Sequence, residues 1–203
     1  MDLDAEFGQI DIYLFDQLLR GRITRRDRIF DAGCGPGRNL VYLLRSGHDV
    51  SGVDADPDAI REVRGLAATL APSLEPERFR VEPIQQTSFP DQFATVVVAS
   101  AVLHFARDEA EFDAMLAGAW RVLAPGGMFF CRLASSIGFE SRVQPLGTSG
   151  RRYRLPDTTE RYLVDEAYLM DRTRQLGGQL LDPLKTTVVQ DQRAMTTWVV
   201  RKR

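Results

Sequence analysis

The sequence predicts an α/β fold: a doubly wound, mostly parallel sheet with helices on both faces. Three observations carry this. Short apolar runs alternate along the chain with stretches of helical periodicity. The run Thr95-Val96-Val97-Val98-Ala99 is β-branched and apolar on both faces, as a central parallel strand is. The turn Gly33-Cys34-Gly35-Pro36-Gly37 joins a strand to a helix.

The elements follow in order. Residues 7–20 set Phe7, Ile10, Leu14, Leu18 and Leu19 at helical spacing, an amphipathic N-terminal helix. Residues 28–32 form a short strand, and a helix over 38–45 is stopped by Gly47. Residues 49–54 form the second strand, and Pro57 opens a helix over 57–70. A weaker third strand over 79–84 ends at Pro83, and 95–99 is the fourth. Asp108 caps a helix over 108–123 that buries Phe112, Met115, Leu116, Ala119, Trp120 and Leu123. Residues 128–133 are the fifth strand. Residues 151–155 and 161–163 flank Pro156-Asp157-Thr158-Thr159 as a hairpin. A helix over 165–176 ends at Gly177-Gly178, and 188–189 with 197–201 close the chain as an antiparallel pair.

At 203 residues the chain suits one domain, and no repeat, low-complexity run or linker divides it. The expected divisions are an N-terminal helix or lid over 1–24, a cofactor-binding core over 25–135, a substrate-side insertion over 136–165, and a C-terminal helix and strands over 166–203. Charged residues make up 27% and the net charge is −2, which argues against a whole-surface nucleic-acid binder. Lys185 and Lys202 are the only lysines, so the basic charge is almost all arginine. Cys34 and Cys131 cannot build a disulfide framework, and with only His48 and His104 a transition-metal site is not expected. The acidic start lacks a signal peptide, and no run reaches the roughly 18 apolar residues of a membrane span. A cytoplasmic protein without membrane partners is expected, a monomer or a homodimer.

The segment Asp31-Ala32-Gly33-Cys34-Gly35-Pro36-Gly37-Arg38-Asn39 is the most informative. Its glycines let backbone N–H groups approach a ligand. Asp54, at the end of the next strand, is placed to accept both hydroxyls of an adenosine ribose. Two adenosine cofactors meet that description. A dinucleotide pyrophosphate would be repelled by Asp31, would lose an N–H at Pro36, and would want glycine where Arg38 stands. S-adenosylmethionine has an ammonium for Asp31, a carboxylate for Arg38 and no phosphate. The loop suits it better.

These residues resemble the class I S-adenosylmethionine-dependent methyltransferases over about residues 25–135. Asp31-Ala32-Gly33-Cys34-Gly35-Pro36-Gly37 is similar to that family's first motif, and Val53-Asp54-Ala55-Asp56 to its ribose motif. Residues 93–105, with Val102-Leu103-His104, resemble its fourth-strand motif, and Arg121-Val122-Leu123-Ala124-Pro125-Gly126-Gly127 the turn before strand five. Gly37-Arg38-Asn39 and the run to Asp54 resemble the tellurite-resistance and thiopurine-like small-molecule branch. The resemblance implies a Rossmann-like sheet of seven strands, the last antiparallel. It implies that Gly33, Cys34 and Gly35 line the methionine tail, Asp54 and Ala55 the ribose, main chain near Ser100 the methionine, and residues near Ile84 the adenine. Glu82-Pro83 departs from the family's Asp near position 83, and Phe93-Ala94 from its Phe-Asp.

The activity so implied is methyl transfer to an O, N or S nucleophile of a small molecule, releasing S-adenosylhomocysteine. His104, just past the fourth strand, is the candidate general base, with a packed ring as the alternative. Tyr13, Arg132 and Arg154, with Arg152, Tyr153 and Tyr162 nearby, are candidates to hold an anionic substrate, aromatic packing being the alternative for the tyrosines. His48 is expected at the surface, as are Arg20, Arg22, Arg25, Arg26 and Arg28. The rival readings are an RNA methyltransferase, a nicotinamide-dependent oxidoreductase and a non-catalytic cofactor-binding module.

Overall fold

Alternate residues of each central strand feed two separate cores, and this period of two lays down the sheet. The structure is a computed structural model that describes residues 2–148 and 150–203. Strands β1 (Arg28–Ala32), β2 (Asp49–Asp54), β3 (Phe79–Val81), β4 (Ala94–Ser100) and β5 (Leu123–Ser135) are parallel, in the spatial order β3-β2-β1-β4-β5. Phe30, Val97, Phe129 and Trp198 are buried on one face against Phe112, Leu116 and Leu169. Ile29, Val96, Val98 and Phe130 are buried on the other against Leu14, Leu43 and Val63.

Among the described residues six helices flank the sheet. α1 (Leu3–Phe7), α2 (Ile12–Leu19), α3 (Val41–Arg45) and α4 (Pro57–Leu70) lie on the second face; α5 (Glu109–Val122) and α6 (Glu166–Gln175) lie on the first. Aspartates cap four of them: Asp11, Asp56, Asp108 and Asp165 each accept from a backbone N–H of the first turn.

The sheet has eight strands rather than seven, because its far edge is made of two pieces. β11 (Arg193–Lys202) runs antiparallel beside β5, and both β9 (Gly178–Leu180) and β10 (Lys185–Val189) pair with it on its outer side. Only β11 therefore runs against the other strands, as the resemblance implied. Gly178 begins β9 instead of merely ending a helix. The hairpin of the 136–165 segment is present as β7 (Arg152–Arg154) and β8 (Glu160–Tyr162), and β6 (Gln144–Pro145) makes it a separate three-stranded sheet.

Three further expectations are corrected. The N-terminal helix is broken: Gly8 has φ +59, and a Cβ there would meet Val41 at 2.7 Å, so the chain turns against α3 and restarts at the Asp11 cap. The helix after the glycine turn starts at Val41, not residue 38. His48 is buried, not exposed: its Nδ1 lies 3.3 Å from the Leu43 carbonyl, and burial lowers its pKa. No helix among the described residues is long and apolar enough to cross a membrane.

Gly118 sets how closely α5 approaches the single turn Ile84–Gln86, since a Cβ would stand 2.4 Å from the Ile84 carbonyl oxygen. Gly118→Ala must push that turn away, at about 1–3 kcal/mol of overpacking. Thermal unfolding should register that loss, and calorimetry should find weaker S-adenosylhomocysteine binding, because Ile84 walls the cleft described next.

Candidate active site

The C-terminal ends of β1, β2 and β4 meet the glycine turn where the strand order reverses, the usual ligand position in such sheets. Gly33 and Cys34 both donate their N–H to the Val53 carbonyl, at 2.8 and 2.9 Å. Gly33 is at φ +85 and its missing Cβ would stand 2.4 Å from Val102 Cγ2, so only glycine lets the turn and the segment after β4 come together.

Asp54 fixes the turn from the other side. One carboxylate oxygen accepts from Gly35 N–H at 2.8 Å and the other from Asp56 N–H at 2.9 Å. Each oxygen keeps a second lone pair for a ribose hydroxyl. Asp54 is thus a loop anchor with acceptor capacity to spare.

A trough runs over the turn in two parts that share Gly33, Asp54, Val102 and Phe105. One part, of about 330 Å³, is floored by Cys34, Gly35 and Asn39 and walled by Arg38 and Ser100. The other, of about 200 Å³, has Ala55, Pro83, Ile84 and Met115 as an apolar slot suited to a purine. Glu82 does not reach this slot: it is tied to the Ser88 hydroxyl at 2.6 Å, the Ser88 N–H at 2.8 Å and Thr87. The slot instead takes its polar rim from Gln85 and Glu111, which motif reading alone missed.

Asp31 lies at the end of β1, almost fully buried, and neither carboxylate oxygen has a hydrogen-bond partner among the described residues. Burial raises its pKa to about 7, with Arg38 opposing and Asp54 adding to the rise. An orphaned carboxylate is where a cationic ligand group would be stabilised and a pyrophosphate repelled. Arg38, with Nη2 3.4 Å from Ser100 Oγ, is the basic group beside it. Burial, then the charges of Asp31 and Asp54, push the Cys34 thiol pKa well up. The residues fit S-adenosylmethionine: a carboxylate for its ammonium, an arginine for its carboxylate, an acid for its ribose and an apolar slot for its adenine.

A second cavity, of about 250 Å³, adjoins the trough across Arg38 and Ala101, which line both. Ala101 is at φ +63, and its N–H donates to the Arg132 carbonyl at 2.7 Å, so the chain leaves β4 in a sharp, strained turn. His104, Arg132, Arg161 and Arg193 also line this cavity. The imidazole of His104 accepts the Ala134 N–H at Nδ1, 3.1 Å away. Burial, with Arg161 and Arg132 nearby, lowers its pKa to about 3. The ring is neutral, with its proton on Nε2.

Arg132 lines the cavity and is paired with the buried Asp11 at 3.1 Å. Tyr13 stands behind it, ring 5.6 Å from the guanidinium and hydroxyl 2.7 Å from Thr187 Oγ1, and does not line the cavity. Arg154 also lies off the cavity, paired with Glu160 at 2.8 Å. Arg152 bonds the Ala106 carbonyl and Glu160, and Tyr162 is a core ring stacked on Phe112. Arg161 and Arg193 take the places expected of Arg152 and Arg154.

Fold and trough together define a class: Rossmann-like proteins that bind an adenosyl cofactor with a cationic tail. The chain belongs to the methyltransferase domain family, whose model matches residues 30–131, half of its length. It is 32% identical over 107 residues to an uncharacterized methyltransferase of Synechocystis, covering 53% of this chain and 47% of that protein. It is 36% identical over 70 residues to the 2-heptyl-1-hydroxyquinolin-4(1H)-one methyltransferase of Mycobacteroides abscessus, covering 34% and 30%. The matched segment thus spans less than half the length of these relatives. The fold is that of an S-adenosylmethionine-dependent methyltransferase of Methanosarcina mazei, with TM-score 0.71, 22% identity and coverage of 91% and 96%. It is also that of the 1,6-didemethyltoxoflavin-N1-methyltransferase of Burkholderia thailandensis, solved with 1,6-didemethyltoxoflavin and S-adenosylhomocysteine, with TM-score 0.69, 20% identity and coverage of 99% and 81%.

A pH dependence follows from Asp31. Free of ligand it takes a proton below about pH 7, and an ammonium partner requires the ionised form. Affinity for S-adenosylhomocysteine should therefore be about tenfold weaker at pH 6 than at pH 8. Asp31→Asn should flatten that profile and weaken binding throughout. Because the folded pKa lies above the unfolded value, ionisation costs the ligand-free fold stability as pH rises from about 4 to 7. The variant should accordingly melt higher than wild type at pH 8.

Proposed function

We propose that this protein transfers the methyl group of S-adenosylmethionine to a small molecule seated in the arginine-lined cavity. The observation that carries this reading is the shared wall of Arg38 and Ala101, which sets a separate, adjoining cavity at the methionine end of the trough. When bound, the cofactor supplies a methyl on a sulfonium sulfur, which an acceptor lone pair takes by in-line displacement, leaving the neutral thioether S-adenosylhomocysteine and, for an X–H nucleophile, a proton in solvent.

The chain's own residues bind, orient and exclude water. Asp31 and Arg38 hold the two ends of the amino-acid tail, Asp54 the ribose, and Pro83 and Ile84 the adenine. His104 keeps a hydrogen on Nε2 while Nδ1 is occupied, so it donates a hydrogen bond to the acceptor instead of removing a proton. The general-base role suggested by its place after β4 is replaced by a positioning one. The nucleophile is then one already ionised or unprotonated near neutral pH.

A small acceptor suits the 250 Å³ cavity, roofed by the three-stranded sheet and the β10–β11 hairpin. The Mycobacteroides relative is likewise named for a small molecule. The arginine run near the N-terminus supports no polymer groove: Arg20 and Arg22 pair with Asp182, and Arg28 with Asp49.

Thermal shift discriminates the readings. S-adenosylhomocysteine at 100 times its Kd should stabilise the protein by about 2.7 kcal/mol, NADH should not, and Asp54→Ala should remove the effect. Loss of two charge-assisted hydrogen bonds corresponds to at least about a hundredfold in affinity. Stabilisation by NADH alone would refute the reading. Separately, His104→Gln, which can still accept from Ala134 and donate into the cavity, should keep kcat within about tenfold and leave the pH profile unchanged. A loss of about 10²–10⁴ would restore the base.

A further inference from the structure

Four guanidinium groups line the acceptor cavity, those of Arg38, Arg132, Arg161 and Arg193, against a single carboxylate, Asp157. Two of the four are committed elsewhere. Arg132 is neutralised from behind by Asp11 at 3.1 Å, and Arg38, which lines both cavity and trough, is the group assigned above to the carboxylate of the cofactor. The two that remain belong to the roof. Arg161 is fixed in advance: its Nη1 donates to the Glu160 carbonyl at 2.7 Å and its guanidinium lies 4.8 Å from the Phe105 ring centre, at the boundary with the trough. Arg193, exposed at the start of β11, has no side-chain hydrogen-bond or ion-pair partner among the described residues, though its charge acts on Asp157. Asp157 itself spends one oxygen on the N–H and hydroxyl of Thr159.

Two positive charges around one negative leave a surplus of one, turned toward a cavity whose apolar walls are Ala134, Leu155, Val189 and Met195, with His104 and Thr159 as uncharged polar ones. A half-open cavity with a surplus positive charge at its rim is complemented by a monoanion whose body packs on the apolar walls. A neutral ligand leaves the surplus unmet, and a dianion reverses it. Arginine also offers paired donors that match the two oxygens of a carboxylate.

We propose that the cavity selects a small organic carboxylate, held by Arg161 and Arg193 with Asp157 setting the charge balance, as the methyl acceptor. This rests on the reading of methyl transfer for the word acceptor alone; the preference for a carboxylate can be measured without turnover. Should the carboxylate itself be the nucleophile, one oxygen lone pair forms the O–CH₃ bond as the S–CH₃ bond breaks, giving a neutral ester and a neutral thioether with no proton to remove.

The test titrates benzoate, phenylacetate and hexanoate, each against its amide, and phenyl phosphate, into the protein saturated with S-adenosylhomocysteine, by calorimetry or protein-observed NMR. At least one acid should bind tenfold or more tightly than its amide and more tightly than phenyl phosphate. Arg193→Gln and Arg161→Gln should each lower that preference at least fivefold while S-adenosylhomocysteine affinity stays within twofold. Asp157→Asn, which keeps an acceptor for Thr159, should tighten acid binding several-fold, an effect of opposite sign that mere loss of structure does not produce. Acids and amides binding alike, a preference for phenyl phosphate, or an unchanged preference in Arg193→Gln would each overturn the proposal. Failure of the wild-type protein to bind S-adenosylhomocysteine would instead strike the methyl-transfer reading, with the acid-to-amide ratio still legible in the ligand-free protein.

Discussion

A buried carboxylate with no hydrogen-bond partner among the described residues lies at the end of a central strand, and the site is arranged around it. Burying an unpaired charge is unfavourable enough that proteins normally pair it or protonate it. Asp31 is held where it is by β1, which pairs with β2 on one side and β4 on the other, so the backbone cannot withdraw it. The two strands supply what surrounds it. β2 ends in Asp54, which pins the glycine turn; β4 ends in Ser100 and the strained Ala101, which open toward the second cavity. Stability given up at Asp31 is available as affinity for whatever cation completes it.

The sheet and the cofactor half were legible because local and global preferences agree there. A β-branched run such as residues 95–99 has one low-energy arrangement, and a glycine turn followed by an acid at the next strand end has few. What the sequence left hidden was set by contacts between distant segments. Nothing local to residues 7–20 announces that Gly8 must pack against Val41, or that His48 will close over the Leu43 carbonyl. The two-residue β6 has no period to read.

The substrate side shows a sharper lesson. The hairpin at 151–163 is legible in the sequence, but Arg152 and Arg154 sit on the face turned away from the cavity. Tyr153 pairs with Arg161 in the register, while Arg152, Arg154 and Glu160 share the opposite face, where both arginines pair with the one glutamate. In a strand, one residue of parity separates a cavity wall from an outer ion pair. The arginine-rich composition resolves on the same terms. Most members are tied down: Arg172 to Glu109 and Asp113, Arg121 to Asp91 and two carbonyls, Arg28 and Arg78 to Asp49. Exposed pairs of this sort contribute little individually; Arg193 stands apart from the other unpaired arginines only in lining the second cavity.

Cys34 lies in the floor of the trough, so a sulfur atom of the protein itself borders whatever ligand the trough takes. A thiolate is among the best nucleophiles a protein carries and a thiol a poor one. Burial and the neighbouring charges of Asp31 and Asp54 keep this sulfur protonated. Burial first, and the charges of Asp31 and Asp54 after it, thus keep a sulfur in the floor of the trough from acting as a nucleophile toward whatever lies above it.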